Sequence, residues 1–445
     1  MITSNKRYAL IIVLACLLLY ICTIGLNVTS LSVYFPYIKA DYGLSNTQVS
    51  LINTIRNASA AFFMPLMRLY YKRFSLRIGM TLSLLILAVS FLLLSVAHGL
   101  AMMYIAAVSM GLSFASGTNL PITLLLHNWF TDHISVAFGI ITAGSGLASF
   151  VASPIIADFI HRSGLAGTFR REALFIVFCA VVFCAAVRVN PKEAAASVQS
   201  RVASVRGKGI SDPARSRVAL VRKKGRSEPV RSRVAPVRKK DAEEVGPNRS
   251  RIPGIRMSDN LLIFGMASFL VGTFSSICIT SYTIHFTIAG YGAIAVAAFM
   301  SIYGLSLIPS KITYGILADK FSAGKINIIY FGLFLIGIVC VLLQGKLILF
   351  LPLLYFSAAC IGLGNGITTA GMAVWANDLS AVEKLERNVR VSQTFFSVGL
   401  IAGSTITGIL ADITGDYTVS FVSVIIMNIM AYLFITYLYK RGTVD

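Results

Sequence analysis

The stretch "LSLIPSKITYGILADK", Leu305 to Lys320, is apolar almost throughout and carries Lys311 in its middle. Whether that ammonium stands in water or in hydrocarbon decides what kind of protein this is. The rest of the 445-residue chain bears on the answer: 56% of it is hydrophobic and only 13% is charged. An ordinary globular domain carries about 25% charged residues, so this composition fits a polytopic membrane protein. Crossing a hydrocarbon core about 30 Å thick takes roughly 20 mostly apolar residues in a helix, which satisfies its own backbone in lipid.

Runs of that kind recur along the whole chain. We read spans near residues 8–34, 47–70, 74–97, 99–126, 134–160 and 171–189, then 260–286, 292–317, 324–344, 347–375, 389–411 and 417–439. The expectation is an all-α membrane protein with twelve transmembrane helices: a six-helix bundle over 1–189, a linker over 190–258 and a second six-helix bundle over 259–445. The first run follows Lys6 and Arg7 as a signal peptide would. It runs long and polar through Asn27, Thr29 and Ser30 without a small-residue cleavage pattern, so it is read as the first span.

Lys and Arg in short loops set orientation. Lys6 and Arg7, the group Arg68, Lys72, Arg73 and Arg77, then Lys320 and Lys325, then Lys384, Arg387 and Arg390, and finally Lys440 and Arg441 fall on one side. That side is expected to be the cytoplasm, with both termini in it. The cluster His161, Arg162, Arg170 and Arg171 falls on the other side, against the rule.

The net charge of +21 has the magnitude of a nucleic-acid footprint, but most of it sits in the linker, where the hydrophobic pattern stops. "RSRVALVRKKGRSEPV" from Arg215 is followed at once by "RSRVAPVRKKDAEEV" from Arg231, and a decayed copy, "SRVASVRGKGISDPA", precedes both from Ser200. A period of about 16 residues this polar stacks into no solenoid and reads as tandem duplication of loop sequence. Low hydrophobicity with high charge predicts disorder. The linker therefore reads as a solvated cytoplasmic connection or as a polybasic tether to anionic headgroups, each Lys or Arg near such a surface contributing about 1 kcal/mol. Without aromatic interleaving or zinc-ligand spacing, no nucleic-acid partner is expected.

The seven cysteines all lie in expected spans without metal-type pairing and read as small buried hydrophobes. No GxxxxGK[ST] phosphate cradle and no nucleophile–base set occurs, so neither an enzyme nor a primary pump is expected, and no cofactor or metal is implied.

Six and six spans about a central loop suggest the internal repeats of secondary carriers, whose substrate site lies near the midplane. "RLYYKRFSLR" follows the second span and "GILADKFSAGK" the eighth, both turning sharply with basic residues. "GILADKF", Gly315 to Phe321, resembles the signature loop of the major facilitator superfamily. That resemblance implies a Gly permitting close helix packing and an Asp reaching a neighbouring helix terminus. Asp319 is thereby a latch candidate directed at the start of the eleventh span, near Asn388 to Val391, with Lys320 beside it. In the first half Arg68 and Lys72 stand where the family has Gly and Asp, and Arg73 closes the turn.

Three further stretches resemble the monocarboxylate porter and oxalate:formate antiporter branch. They are "NWFTDHISVAFGIITAGSGLA" (Asn128 to Ala148, with Gly144 and Ser145), "GSTITGILADITGDY" (Gly403 to Tyr417, with Asp412) and "SLSVYFPYIKADYGLSNTQVSLI" (Ser30 to Ile52). Relatives commonly place Arg four residues before the signature Gly to hold a substrate carboxylate, and Lys311 occupies that position here. They also place an Asp four residues before that cation and a Lys on the first span, where this chain has Leu307 and Thr29. The resemblance therefore favours anion exchange or facilitated diffusion over coupling through a buried carboxylate. No Asp or Glu is read in the middle of a span.

A charge at the bilayer centre costs at least about 2.5 kcal/mol, so it faces a cavity or a partner. Lys311 lies about 9 Å from the helix end, within snorkelling reach of headgroups. Substrate contact and snorkelling both stay open at this point. Arg56, the second intramembrane cation, has Asn53 and Asn57 at helical neighbour spacing and is read as cavity lining, as an outer gate, or as an Arg satisfied by eleventh-span carbonyls. Asn27, Thr29, Tyr282, His285, Asn365 and Gln393 complete the candidate substrate site, each alone being an ordinary helix–helix hydrogen bond. Gly315, Asp319, Lys320, Gly144, Ser145, Arg73 and Asp412 are the gating candidates. The function expected is an alternating-access secondary carrier for small mono- or dicarboxylates, monomeric and multi-pass in the cell membrane. Efflux of amphiphilic compounds and a non-transporting sensor signalling through the linker are the alternatives.

Overall fold

Side-chain periodicity and hydropathy call for helices throughout. In the computed structural model, which describes residues 2–129, 134–187, 259–321, 323–346, 350–368, 370–380 and 384–441, all regular structure is helical. The basic linker lies outside the described residues, as does the side chain of Asp319.

The first half of the chain contributes α1 (Ile2–Tyr20), α2 (Phe35–Tyr42), α3 (Asn46–Phe63), α4 (Met67–Arg73), α5 (Leu76–Ser95), α6 (Leu100–Gly117), α7 (Asn119–Trp129) and α8 (Ile134–Ala186). The second half contributes α9 (Asp259–Ile288), α10 (Ala293–Phe321), α11 (Ala323–Lys346), α12 (Leu351–Gly364), α13 (Ala370–Leu379), α14 (Leu385–Thr414) and α15 (Thr418–Arg441). Between α1 and α2 the helix continues as π turns over Ile21–Ser30 and a 3₁₀ turn over Leu31–Tyr34.

Nine helical stretches among the described residues are long and apolar enough to cross a membrane, by length and composition. Three expected spans are not among them. The second, 47–70, is split into α3 and α4 by a 3₁₀ turn at Met64–Leu66, where Pro65 cannot donate to the helical ladder, and it carries the polar Asn53, Arg56 and Asn57. The fifth and sixth form one helix, α8, which changes direction at Gly164 (φ 68°, ψ 179°), a backbone conformation glycine adopts at little cost. Outward faces are apolar: Phe62 and Leu174 are 69% exposed and Ile294 84%. A water-soluble protein would bury such a surface; lipid makes burial unnecessary.

Two seams join the halves. Along the first, α3 runs beside α14, and a Cβ built on Gly408 would meet Ser50 Oγ at 2.0 Å. Thr54 Oγ1 donates to Ser404 Oγ (2.9 Å), and Asn57 Nδ2 donates to the Leu400 carbonyl (3.3 Å). At the end of this seam the carboxylate of Asp412 accepts from the backbone N–H groups of Asn46 (2.8 Å) and Thr47 (2.9 Å). These are among the orphan donors of the first turn of α3, whose own cap is a Ser45–Gln48 capping box. Asp412→Ala is therefore expected to lower stability by roughly 0.5–1 kcal/mol, near the low end for a cap because the carboxylate is solvent-exposed. Thermal unfolding in detergent checks this.

Along the second seam, α8 and α10 meet backbone to backbone. A Cβ on Gly146 would lie 2.5 Å from the Gly304 carbonyl oxygen, and one on Gly304 would lie 2.5 Å from that of Gly146. Ser149 Oγ donates to the Met300 carbonyl at 2.9 Å nearby.

Candidate functional site

Lys311 follows Pro309 on α10 and turns its side chain inward across the second seam. It is only 9% exposed. Its Nζ donates to Ser145 Oγ (2.8 Å) and to the Thr142 carbonyl oxygen (3.2 Å), both on α8, and lies 5.9 Å from the centre of the Tyr20 ring. Both oxygens are neutral, and among the described residues no carboxylate pairs with this amine. The amine is thus directed at the opposite half of the chain, not along the helix toward headgroups.

Arg56 on α3 is 3% exposed. It donates to the Asn27 carbonyl (2.7 Å) and to Asn57 Oδ1 (3.2 Å). The carbonyl it uses comes from the first span, where the sequence reading had offered the eleventh. The eleventh span is reached through Asn57 and Leu400. Asn27 lies in the π-helical stretch, which widens the helix just where Gly25 backs onto α8, a Cβ there meeting Ala148 Cβ at 2.1 Å. Such wide turns interrupt the regular i→i−4 ladder and recur at functional sites.

Each cation has its own polar cluster, and both clusters draw on the first span between Gly25 and Thr29. Thr29 Oγ1 donates to the Gly25 carbonyl (2.8 Å) and reaches the main-chain oxygen of Ser145 (3.4 Å), whose hydroxyl binds Lys311. Asn27 Nδ2 donates to the Met110 carbonyl at 3.0 Å, and Asn53 Nδ2 donates to Thr280 Oγ1 at 3.0 Å across to α9. Asn27 Oδ1 and Asn53 Oδ1 are buried acceptors without a partner. The structure therefore brings together Lys311, Ser145, Thr29, Asn27, Arg56, Asn57 and Asn53.

The remaining candidates lie elsewhere. Tyr282 and His285 pack with Phe421, at ring distances of 5.9 and 4.9 Å, inside the second half and share no hydrogen-bond partner with either cation. Asn365 Nδ2 donates to the Tyr303 hydroxyl in the same half, within the 3₁₀ turn Asn365–Thr368. Gln393 is exposed on α14, and Arg73 is exposed in the last turn of α4, where a cation complements the helix dipole. Lys320 is exposed, its ammonium 5.4 Å from the Phe321 ring centre. Gly144 does sit at a tight approach, since a Cβ there would meet Leu17 Cδ1 at 2.9 Å.

Gly315 needs correction. The signature-loop resemblance implies that it permits close helix packing, yet a Cβ built there meets nothing within 4 Å. Asn388, near the expected target of the latch, donates to Ser380 Oγ at 2.9 Å.

Two participants, and one buried carboxylate that shares no hydrogen bond with either cation, were not read from the sequence. Thr142 acts through its main-chain carbonyl, which no side-chain pattern reveals, and Tyr20 passes for an ordinary apolar aromatic. Glu172 is 8% exposed, with a buried Oε2 that has no hydrogen-bond partner. The expected span began at residue 171, which left Glu172 at its edge. In the structure the helix continues from the corner at Gly164, so Glu172 lies about two turns inside it.

Helices of this length with an apolar outer surface define a membrane-spanning protein, and buried cations in such proteins serve substrate or ion pathways. The chain matches the model described as Major Facilitator Superfamily over residues 17–344 and 260–444, and it belongs to that family. Monocarboxylate transporter 12-B of Danio rerio is 24% identical over 420 residues, covering 92% of this chain and 82% of that protein. Monocarboxylate transporter 12 of Mus musculus is 26% identical over 152 residues, 34% of this chain and 31% of that one, so the aligned part spans about a third of the mouse relative. Among solved structures, a bacterial homolog of the human lysosomal transporter Spinster in an inward-facing, occupied conformation superposes with a TM-score of 0.66. It is 12% identical and covers 98% of this chain and 97% of its own. The nucleoside transporter NupG gives 0.65 at 11% identity, covering 96% and 99%. At such identities these structures speak for the fold alone.

Proposed function

We propose that the protein is a multi-pass carrier of the cell membrane, with twelve spans in two bundles and cytoplasmic termini, that moves small mono- or dicarboxylates by alternating access as an exchanger or facilitator. One observation carries this reading. The ammonium of Lys311 is buried at a seam between the halves with only neutral oxygens around it. A buried cation without a counter-charge is costly, and such groups in membrane proteins serve substrate or ion pathways. A carboxylate is the ligand that supplies the missing charge. Arg56, also buried and bound to neutral oxygens, adds positive potential from the second polar cluster and assists binding or gates it. The similarity to monocarboxylate transporters supports the same substrate class.

The test is counterflow in proteoliposomes with labelled oxalate, formate, lactate and pyruvate. Transient accumulation of at least one anion above equilibrium is expected. Flux of hydrophobic cations without anion flux would assign the protein to efflux of amphiphilic compounds, and absence of any flux would remove the carrier reading. Deleting Ser200 to Val245 within the basic linker is expected to leave counterflow within about twofold of the intact chain, because a sequence this polar and repetitive offers little apolar surface to bury. Loss of flux on deletion would show that the linker takes part in transport.

A further inference from the structure

Lys311 ties two helices that belong to different halves of the chain. Its own helix, α10, comes from the second half, and both of its oxygen partners, Ser145 Oγ and the Thr142 carbonyl, lie on α8 of the first. The tie continues the α8–α10 seam, beyond the Gly146–Gly304 contact and the Ser149–Met300 hydrogen bond. Any rearrangement that parts α8 from α10 must first take the ammonium from these oxygens. An ammonium has three N–H donors and no acceptor, and here two of the three are committed.

We infer that the Lys311–Ser145 bond is a latch of the empty carrier, which an anionic substrate opens by taking the place of the Ser145 hydroxyl. The protein then runs as an exchanger, because only the loaded form is free to reorient. This rests on the assignment of Lys311 to a carboxylate site. In the empty carrier, parting the seam takes from the amine both of its oxygen acceptors on α8 with no counter-charge to replace them, which disfavours the movement. In the loaded carrier the carboxylate supplies both oxygen acceptors and opposite charge, so the seam opens with the amine still satisfied. The Thr142 acceptor is main chain and survives any substitution. Ser145 is the removable half of the latch, and its own carbonyl, which receives Thr29 Oγ1, stays in place when the hydroxyl is deleted.

The experiment compares two efflux rates from proteoliposomes preloaded, in turn, with labelled oxalate, formate, lactate and pyruvate: into anion-free buffer, and into buffer holding the same unlabelled anion. For wild type the first rate is expected to be at least about tenfold slower than the second, the size of effect one hydrogen bond to a charged group can impose. For Ser145→Ala that ratio is expected to shrink by roughly tenfold, and Ser145→Thr, which keeps a hydroxyl, is expected to restore it. Equal rates in wild type would overturn the latch while leaving the carboxylate site intact. An unchanged ratio in Ser145→Ala would do the same. Loss of exchange in Ser145→Ala would assign the hydroxyl to substrate binding and also overturn it. No flux of any of the four anions from wild type under either condition would remove the carboxylate site itself, and the latch with it.

Discussion

Anion exchange is expected to fall below about one-hundredth of the wild-type rate when Lys311 is replaced by alanine, with folding undisturbed. The reason is an asymmetry between transport and stability. Removing the amine leaves behind only Ser145 Oγ and the Thr142 carbonyl, both neutral and able to pair with each other, since Ser145 Oγ already donates to Thr142 O at 3.1 Å. Deleting one partner of a buried ion pair strands a charge, but here no partner charge is stranded, so the thermal midpoint in detergent should hold or rise. Transport loses the buried cation of α10, and a charge-assisted contact of this kind is worth about 1.5–3 kcal/mol or more in a dry site. Lys311→Met, which keeps most of the stem and drops the charge, should match the alanine variant in flux while packing better. Wild-type exchange in either variant at normal expression would take Lys311 out of the binding site.

Gly304→Leu is expected to be nearly as severe for a different reason. A single Cβ at this position already lies 2.5 Å from the Gly146 carbonyl oxygen and 2.7 Å from the Phe150 nitrogen. Both are backbone atoms and cannot swing aside as a flexible side chain would. The helices must separate, which forfeits the Ser149–Met300 bond and the Lys311 latch in the same movement. Overpacking costs typically about 1–3 kcal/mol, so the conformation with a closed α8–α10 seam should become roughly tenfold to a hundredfold rarer. Exchange should fall in proportion if the cycle passes through that conformation. Gly332→Leu is the control, because a Cβ there meets nothing within 4 Å. Equal exchange in the two variants would show that transport does not need this contact.

Much of the architecture was legible because membrane-spanning helices are written locally, in runs of apolar residues a fixed length long. The helix breaks were less so. Pro65 splits α3 from α4, and Gly164 bends α8 without ending it, since a single residue with unusual backbone angles can redirect a helix whose hydropathy pattern continues. The same continuity concealed Glu172, placed at the edge of a span by composition and inside a helix by geometry.

The candidate site was legible as a set of residue types and not as an arrangement. Lys311 and Arg56 stand out because a charge in an apolar run is costly wherever it falls. Gly315 was expected to mark a tight contact and faces open space, while Gly304 and Gly146, unremarked in the sequence, bring α8 and α10 together backbone to backbone. Asp412 could be picked out as a carboxylate at a span end, but its partners, the first N–H groups of α3, lie more than 360 residues away.

By itself, then, the sequence determined the solvent this protein lives in, its helices and the presence of two intramembrane cations, because each follows from how a residue and its near neighbours partition between water and hydrocarbon. Only the tertiary structure decided which oxygens receive Lys311, that Arg56 takes a carbonyl in the widened stretch of the first span, and which glycines touch. Those are contacts between residues far apart in the chain, Lys311 and Thr142 being 169 positions apart, and several of them are made to backbone atoms that every residue type shares.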